Sequence, residues 1–255
     1  MNQIMAKNGF INTNFDQQKE LISSEQRQWN LSEMVRRRNH LIQFDINAPQ
    51  YLLEPEIKQF FDFVDNFNEL MLFKLLWVTG ARISEALLLT PANFIFGIDS
   101  CLMSLPTQKK RKLVGKKEEV DENGIKRIHK IYESARGVRH IEISKNNNSQ
   151  RDFIADLNRY IVTNKIDKNK PLFNYTRFQA GRRIKKIQSI AEANGVRFPF
   201  EITPHTFRHS CAMNLVYNDV DEKIIQKYLG HSRIENTRKY TQIFHLEHDI
   251  SHVNF

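Results

Sequence analysis

The spacing of apolar residues changes twice along this chain, and that change limits the folds open to it. Up to residue 89 the apolar positions recur mostly at helical spacing, but residues 94–105 and 138–144 favour strands, with strict alternation at Ile141-Glu142-Ile143. Helical spacing returns in five segments, 150–164, 176–194, 204–217, 221–229 and 234–246. Helices, a small antiparallel sheet and further helices predict an α+β, mainly α-helical fold and argue against a parallel doubly wound sheet.

Glycine and proline residues mark the expected ends of the early elements. Gly80 ends an apolar helix predicted over Asn68–Val78, and a further helix is predicted over Ala81–Leu89, where a proline soon follows. Between the two strand regions lies a long basic stretch, 106–137. It contains Asn123-Gly124, a dipeptide typical of tight hairpin turns, so a β-hairpin is predicted within this insert.

The chain has 255 residues, which is room for one large domain or two small ones. Residues 1–46 are polar and charged, and short helices are predicted around 16–29 and 31–42. Their apolar content is too small for an independent core. We therefore predict a short basic helical appendage at 1–46 and one main domain at 47–255.

The charge balance points to an acidic partner. The 38 lysines and arginines exceed the 29 acidic residues and give a formal net charge of +9. Such an excess favours a polyanion such as nucleic acid, although a basic solvated surface is the alternative. A hydrophobic fraction of 40% is enough for a buried core and excludes a wholly disordered chain.

Cysteine usage and apolar runs indicate the compartment. Cys101 and Cys211 are far apart and lie in no ligand pattern, which disfavours a disulfide framework or a zinc ribbon and fits a reducing cytosol. Residues 1–20 hold no apolar run of signal-peptide length, and the run Leu70–Val78 is too short to span a bilayer. We expect a soluble, cytoplasmic protein with no membrane partner.

The first candidate cluster is Thr79-Gly80-Ala81-Arg82-Ile83-Ser84-Glu85, which puts an arginine at a helix start within an apolar region. A surface ion pair between Arg82 and Glu85 would explain it equally well, since residues three apart are neighbours on a helix.

The second cluster lies at Ile202–His209. Thr203 suits an N-cap and the next residue is a proline, so His205 and Arg208 share one face at the positive end of a helix. Backbone N–H groups, an imidazole and a guanidinium at one helix N-terminus are suited to a phosphate oxyanion. His205 and His209 also have the spacing of a helical metal pair, but no third ligand is evident, so no metal is predicted.

The third cluster is Leu229-Gly230-His231-Ser232, followed nine residues after His231 by Tyr240. A tyrosine on a helix is by itself most often a core residue. Taken in order, however, Arg82, His205-x-x-Arg208, Gly230-His231 and Tyr240 resemble the motifs of the tyrosine recombinase (phage integrase) family. The similarity runs from about residue 51 to 255, and residues 195–255 look most like the resolvases of F-type plasmids.

The resemblance implies a chemistry for each residue. Tyr240 would be the nucleophile that forms a 3′-phosphotyrosyl link, with Arg82 and Arg208 on the non-bridging phosphate oxygens. His205 would assist proton removal or bond the phosphate, and His231 would donate to a phosphoryl oxygen. No cofactor or divalent metal is implied.

A hairpin lysine supplies the leaving-group proton in this family. Lys109 is the choice here and Lys110 the second, with Lys112, Lys116 and Lys117 next. Glu85 would orient Arg82, and Tyr228 and Tyr217 are the alternative nucleophiles. The insert is longer than is usual in the family, so the choice of lysine depends on the hairpin register.

The implied partner is double-stranded DNA with a specific recombination site. The protein would bind it as a homotetramer, be a monomer or dimer when free of DNA, and associate with the nucleoid or a plasmid. The candidate DNA-contacting residues are all basic: Arg36, Arg37, Arg38, Lys110, Arg111, Lys112, Arg182 and Arg183. Residues 1–46 would form a reduced DNA clamp, unless a further module is missing or supplied separately. The same motifs leave open a type IB topoisomerase or a DNA-binding protein that has lost catalysis.

Overall fold

A computed structural model of the chain describes residues 31–44, 48–107, 110–120, 126–135 and 137–246. The chain divides into two units after Ala48. The described part of the first unit contains helix α1, Leu31–Phe44, which includes the helix predicted over 31–42. The other predicted helix, 16–29, lies outside the described residues.

The second unit begins with two helices, α2 (Glu54–Asp62) and α3 (Phe67–Thr79). The Asn66 side chain caps α3 by accepting hydrogen bonds from the next free backbone N–H groups, 2.9 Å from Asn68 N and 3.2 Å from Glu69 N. Gly80 ends α3 with φ +57°, a left-handed conformation that favours glycine.

The helix predicted over Ala81–Leu89 is wrong in length. Helix α4 covers only Ile83–Ala86. After it, the backbone N–H groups of Leu88 and Leu89 bond to carbonyls three residues back, at 3.2 Å each, and the helix tightens into turns. Pro91 holds the preceding residue, Thr90, in extended backbone, which prevents any continuation of these turns beyond Leu89.

The predicted strands form a three-stranded antiparallel sheet in the order β1 (Phe94–Phe96), β2 (Ser100–Pro106), β5 (Val138–Ser144). Met103 lies opposite Ile141 in the register. Alternate residues of β2 and β5 are buried, which confirms the period-two alternation in the sequence.

The basic insert contains a separate two-stranded antiparallel sheet, β3 (Lys110–Val120) with β4 (Lys126–Ala135). The pairing runs from Lys110 opposite Ala135 to Val120 opposite Lys126, with one irregularity between Leu113 and Gly115. The predicted turn at Asn123-Gly124 lies outside the described residues.

Five more helices follow in the described part of this unit: α5 (Asn148–Thr163), α6 (Arg177–Ala193), α7 (Pro204–Tyr217), α8 (Glu222–Leu229) and α9 (Glu235–Leu246). An aromatic cluster fixes α7 against α2 and α3. The Phe207 ring lies 5.5 Å from Phe60 and 5.8 Å from Phe73, and all three side chains are fully buried. Aromatic pairs of this kind contribute about 0.5–1.5 kcal/mol beyond their area. The residue that follows Phe207, Arg208, is therefore held on a rigid element.

The helices within these described ranges include none that combines the length and apolar character needed to cross a membrane.

Candidate active site

Arg82 is fixed by the turn that follows α3. Its backbone N–H donates to Glu85 Oε2 at 3.0 Å, and its Nη1 donates to Glu85 Oε1 at 2.8 Å. The Glu85 side chain is 1% exposed and that of Arg82 is 32% exposed. The pair is thus not a surface ion pair: a buried carboxylate holds a guanidinium that still reaches solvent.

A second arginine supports the same carboxylate. Arg139 lies on β5, is buried, and places Nη2 3.4 Å from Glu85 Oε2. Its Nη1 donates to the carbonyl of Tyr228 near the end of α8. Burial lowers the pKa of Arg139, and Glu85 opposes this shift. Sequence reasoning missed this residue, although the alternation of β5 puts it on the buried face with Ile141.

Arg208 joins three of the sequence motifs. Its Nη1 donates to the Gly80 carbonyl at 2.5 Å and its Nη2 to the Leu229 carbonyl at 2.8 Å. Burial, followed by the charge of Arg82, lowers the pKa of Arg208 to about 10, so it stays protonated at neutral pH. The sequence favours this position because Thr203 caps α7, accepting from Thr206 N at 3.4 Å.

Two glycines allow the end of α8 to pack closely against the elements around Arg208. Gly230 ends α8 with φ +68°, and a Cβ there would lie 2.9 Å from Arg139 Cδ. At Gly80 a Cβ would lie 2.5 Å from Leu229 Cδ2. Both motif glycines therefore serve close approach as well as left-handed backbone.

His231 follows directly on that turn. Its Nδ1 lies 2.8 Å from the hydroxyl of the buried Thr237, so Nε2 is the nitrogen left for another partner. Burial, then the charge of Arg208, lowers the pKa of His231 to about 3. The imidazole is neutral at physiological pH.

Tyr240 lies on α9 and is 1% exposed. Its ring stacks on His231 with 6.3 Å between centroids and 11° between planes, and Lys239 Nζ lies 5.1 Å from the ring centroid. Its hydroxyl is 2.7 Å from His209 Nδ1. Burial raises the pKa of Tyr240 to about 12, against the lowering effect of Arg208, so the phenol is protonated.

The alternative tyrosines have other partners. The Tyr228 hydroxyl donates to the Val78 carbonyl at 2.7 Å, and burial raises its pKa. The Tyr217 hydroxyl is 3.1 Å from that of Tyr51. Of the three tyrosines, Tyr240 is the one whose hydroxyl bonds to a histidine of the motifs, His209.

His205 lies exposed at the start of α7, and its ring centroid is 6.4 Å from that of His209. Burial of part of the ring, then Arg208 and Arg82, lowers its pKa. In the portion of the chain that the structure describes, no group of three or more histidine, cysteine, aspartate or glutamate side chains could hold a metal ion.

The side chains described above form one cluster: Arg82, His205, Arg208, His209, His231 and Tyr240. Other predicted residues lie apart from it. Arg182 and Arg183 lie on α6, where they line a cavity of about 330 Å³ that none of the cluster residues lines. The Arg182 guanidinium lies 4.9 Å from the Phe178 ring centroid, and Arg183 Nε is 3.3 Å from Glu69 Oε1. In the first unit, Arg38 donates to Asn39 Oδ1 at 3.1 Å.

The remaining candidates lie in the basic insert and in helix α1. Lys109 lies outside the described residues. Five hairpin candidates lie in β3, namely Lys110, Arg111, Lys112, Lys116 and Lys117. Two more, Arg36 and Arg37, lie in α1.

The fold and the cluster define the class: an α+β catalytic domain that gathers two arginines, three histidines and a tyrosine from separate segments. The chain belongs to the phage integrase family, whose family model matches residues 50–247. The resemblance read from the motifs is therefore confirmed, and so is the predicted fold class.

Two relatives illustrate the match. A resolvase of Escherichia coli is 30% identical over 210 residues, which cover 78% of this chain and 75% of the relative. Tyrosine recombinase XerA of Pyrococcus horikoshii is 25% identical over 201 residues, which cover 77% of this chain and 58% of the relative.

Solved structures share the fold. The XerH recombinase bound to difH substrate aligns with TM-score 0.55 and 20% identity, over 76% of this chain and 50% of that one. The Tn1549 transposon integrase in complex with transposon right end DNA aligns with TM-score 0.56 and 20% identity, over 77% and 62%. This chain thus corresponds to between half and about three fifths of those two chains.

Proposed function

We propose that this protein is a site-specific DNA recombinase that cuts and rejoins double-stranded DNA through a 3′-phosphotyrosyl intermediate. The observation that carries the proposal is the convergence of Arg82, Arg208, His231 and Tyr240 in one cluster, although they are spread over almost 160 residues of sequence. Membership of the phage integrase family supports it.

The chemistry follows from the residue types. The Tyr240 oxygen attacks the scissile phosphorus, the bond from phosphorus to the 5′-oxygen breaks, and a 5′-hydroxyl leaves. Because the phosphodiester energy is kept in the covalent link, the strand can be rejoined without an external energy source. The phenolic proton must leave as the bond forms, and His205, exposed at the helix start, is proposed to assist or to bond the phosphate.

Two guanidinium groups stabilise the charge that builds on the non-bridging oxygens. Arg208 is preorganised, because two backbone carbonyls already fix its orientation. Arg82 is held from the other side by Glu85 and keeps part of its side chain in solvent. His231 adds a donor through Nε2 once Nδ1 is engaged by Thr237.

The leaving 5′-oxygen requires a proton, and we assign it to Lys109, with Lys110 second. The support is positional: β2 ends at Pro106, and the basic run that follows leads into β3. In the same proposal residues 1–46 act as a reduced DNA clamp ahead of the catalytic domain at 47–255. The basic residues of α1, β3 and α6 named above then contact DNA phosphates.

The substrate is DNA of a plasmid or another mobile element, and a homotetramer on two duplexes performs the exchange. The relative named as a resolvase supports the first point. Integration, excision and dimer resolution use the same strand chemistry, so the site cluster does not choose between them.

A mixing experiment tests this function. Purified protein is incubated with a plasmid that carries two copies of a DNA segment from the host replicon, and products are read by gel mobility. The expected result is exchange between the two copies, with a covalent adduct trapped on nicked substrate. Relaxation of any supercoiled plasmid without exchange would indicate a topoisomerase, and binding without an adduct would indicate loss of catalysis.

A further inference from the structure

His209 has no role in the chemistry above, yet it makes the closest polar contact to the proposed nucleophile. It follows Arg208 on α7, and its Nδ1 lies 2.7 Å from the Tyr240 hydroxyl. The two rings are 5.8 Å apart between centroids, with 49° between their planes. In the described part of the chain this is the hydroxyl's one hydrogen-bond partner.

The protonation states favour one direction for this bond. Burial, then the charge of Lys239 and the neighbouring His205 and Arg208, lowers the pKa of His209 to about 3, so its imidazole is neutral. Burial raises the pKa of Tyr240 to about 12, so the phenol keeps its proton. A neutral imidazole can accept at Nδ1 when its proton is on Nε2, and the phenol is the better donor of the two.

Transfer of the proton to His209 before attack is unfavourable, because its imidazolium is more acidic than the phenol. The proton leaves as the oxygen–phosphorus bond forms, with assistance from His205 in the mechanism proposed above. The bond can nevertheless fix the oxygen. When the O–H donates to Nδ1, both lone pairs of the phenol oxygen stay free to attack phosphorus. Stacking on His231 and packing beneath Lys239 hold the ring itself but not the hydroxyl hydrogen.

We propose that His209 is a positioning residue for the nucleophile, which accepts the Tyr240 hydroxyl hydrogen at Nδ1 and sets the direction of the oxygen for attack. This rests on the proposed function, since it presumes that Tyr240 is the nucleophile. His209 is tied through the α7 backbone to Arg208, so the nucleophile and one phosphate-binding arginine share a rigid support. Small misplacements of reacting groups slow such steps by up to about 100-fold.

A matched pair of variants tests the role. His209→Asn puts an acceptor close to the position of Nδ1, whereas His209→Leu has a similar volume and none. The readouts are the rate of covalent adduct formation at saturating DNA and, separately, the Kd for DNA. We expect His209→Leu to slow the rate at least 10-fold, His209→Asn to stay within about 3-fold of wild type, and Kd to be unchanged in both.

Several results would overturn the inference. They are a wild-type rate in His209→Leu, a rate in His209→Asn as low as in His209→Leu, or a faster rate in His209→Leu, which would mean that the bond restrains the tyrosine. His140→Leu is the control for loss of a histidine, because His140 lies exposed on β5 and bonds Ser104. Absence of any adduct from the wild-type protein would instead overturn the proposed function.

A measurement on the wild-type protein keeps the test independent of folding in the variants. In ¹⁵N-histidine-labelled protein, the nitrogen shifts of His209 distinguish the two neutral tautomers. A proton on Nε2 and a bare Nδ1 are expected. A proton on Nδ1 would overturn the inference, because the phenol oxygen would then be the acceptor.

Discussion

The cluster has a buried half and an exposed half, and they differ in how their polar atoms are used. In the buried half, Arg208 and Tyr240 are at most 4% exposed and their polar atoms bond to protein groups. In the exposed half, Arg82 and His205 reach solvent. The buried half therefore owes its geometry to the fold, while the exposed half keeps polar side-chain atoms in contact with solvent.

The largest effect is expected at the centre of the buried half. Tyr240→Phe removes only the oxygen that we propose as the nucleophile, so covalent adduct should be lost while DNA affinity stays within about 3-fold. A denaturing gel measures the adduct. Tyr228→Phe is the matched control, since its hydroxyl bonds the Val78 carbonyl instead, and it should retain adduct formation. Adduct from Tyr240→Phe would move the nucleophile to another residue.

The lysine proposed to protonate the leaving group is tested by replacing the bridging 5′-oxygen of the DNA with sulfur. Lys109→Ala should cleave normal DNA about 10²–10⁴-fold more slowly, because an alkoxide leaves poorly without a proton. On a 5′-bridging phosphorothiolate it should approach the wild-type rate, since a thiolate leaves without one. Arg208→Ala should gain little from sulfur. If Lys110→Ala is rescued and Lys109→Ala is not, the acid is the second lysine.

Variants of the two arginines are expected to lose similar activity but different amounts of stability. Arg208→Ala and Arg82→Ala are each expected to slow cleavage by about 10²–10³-fold through loss of oxyanion stabilisation. Arg208→Ala should also destabilise the fold, at about 1–3 kcal/mol for each buried carbonyl left unpaired. Arg82→Ala should lose less, because Glu85 keeps the Arg82 backbone N–H and Arg139. Equal losses on urea unfolding would remove the distinction between the halves.

The smallest effect concerns pH. Burial lowers the pKa of His231 from 6.5 to about 3, so between these values the unfolded chain binds more protons than the folded one. The neutral, buried His231 therefore adds its full contribution to the free energy of unfolding above pH 6.5, and this contribution is lost as the pH falls toward 3. His231→Asn, which keeps an acceptor for Thr237, should lose less Tm than wild type between pH 7 and 4. Parallel Tm curves would contradict this.

The sequence is enough to predict residues that belong to a recognisable motif. It is not enough for residues whose role depends on partners far away in the chain. Arg82, Arg208 and Tyr240 are labelled by the family motifs, and Gly80 and Thr203 place the two arginines near helix starts. Arg139 looks like any polar residue of a strand until the carboxylate and carbonyl that it binds are known.

The same limit applies elsewhere. From the sequence, His209 suggests one half of a helical metal pair with His205. Its actual partner, Tyr240, lies 31 residues away and cannot be recognised from local spacing. The helix predicted over Ala81–Leu89 is too long, because apolar spacing does not distinguish a continuous helix from a short one followed by tight turns. The domain boundary, the catalytic roles, including that of Lys109, and the DNA-contacting residues remain predictions.

Two arginines bind the last carbonyls of α8, Arg139 at Tyr228 and Arg208 at Leu229. These oxygens form the negative end of the helix dipole and have no partner within the helix. One inserted residue would turn that end by about 100° and point both oxygens away from the guanidinium groups. Helix α8 thus acts as a spacer of fixed length: a substitution on its exposed face, for example at Ile224, leaves both contacts in place, while an insertion would displace Arg208, the arginine proposed to bind the phosphate.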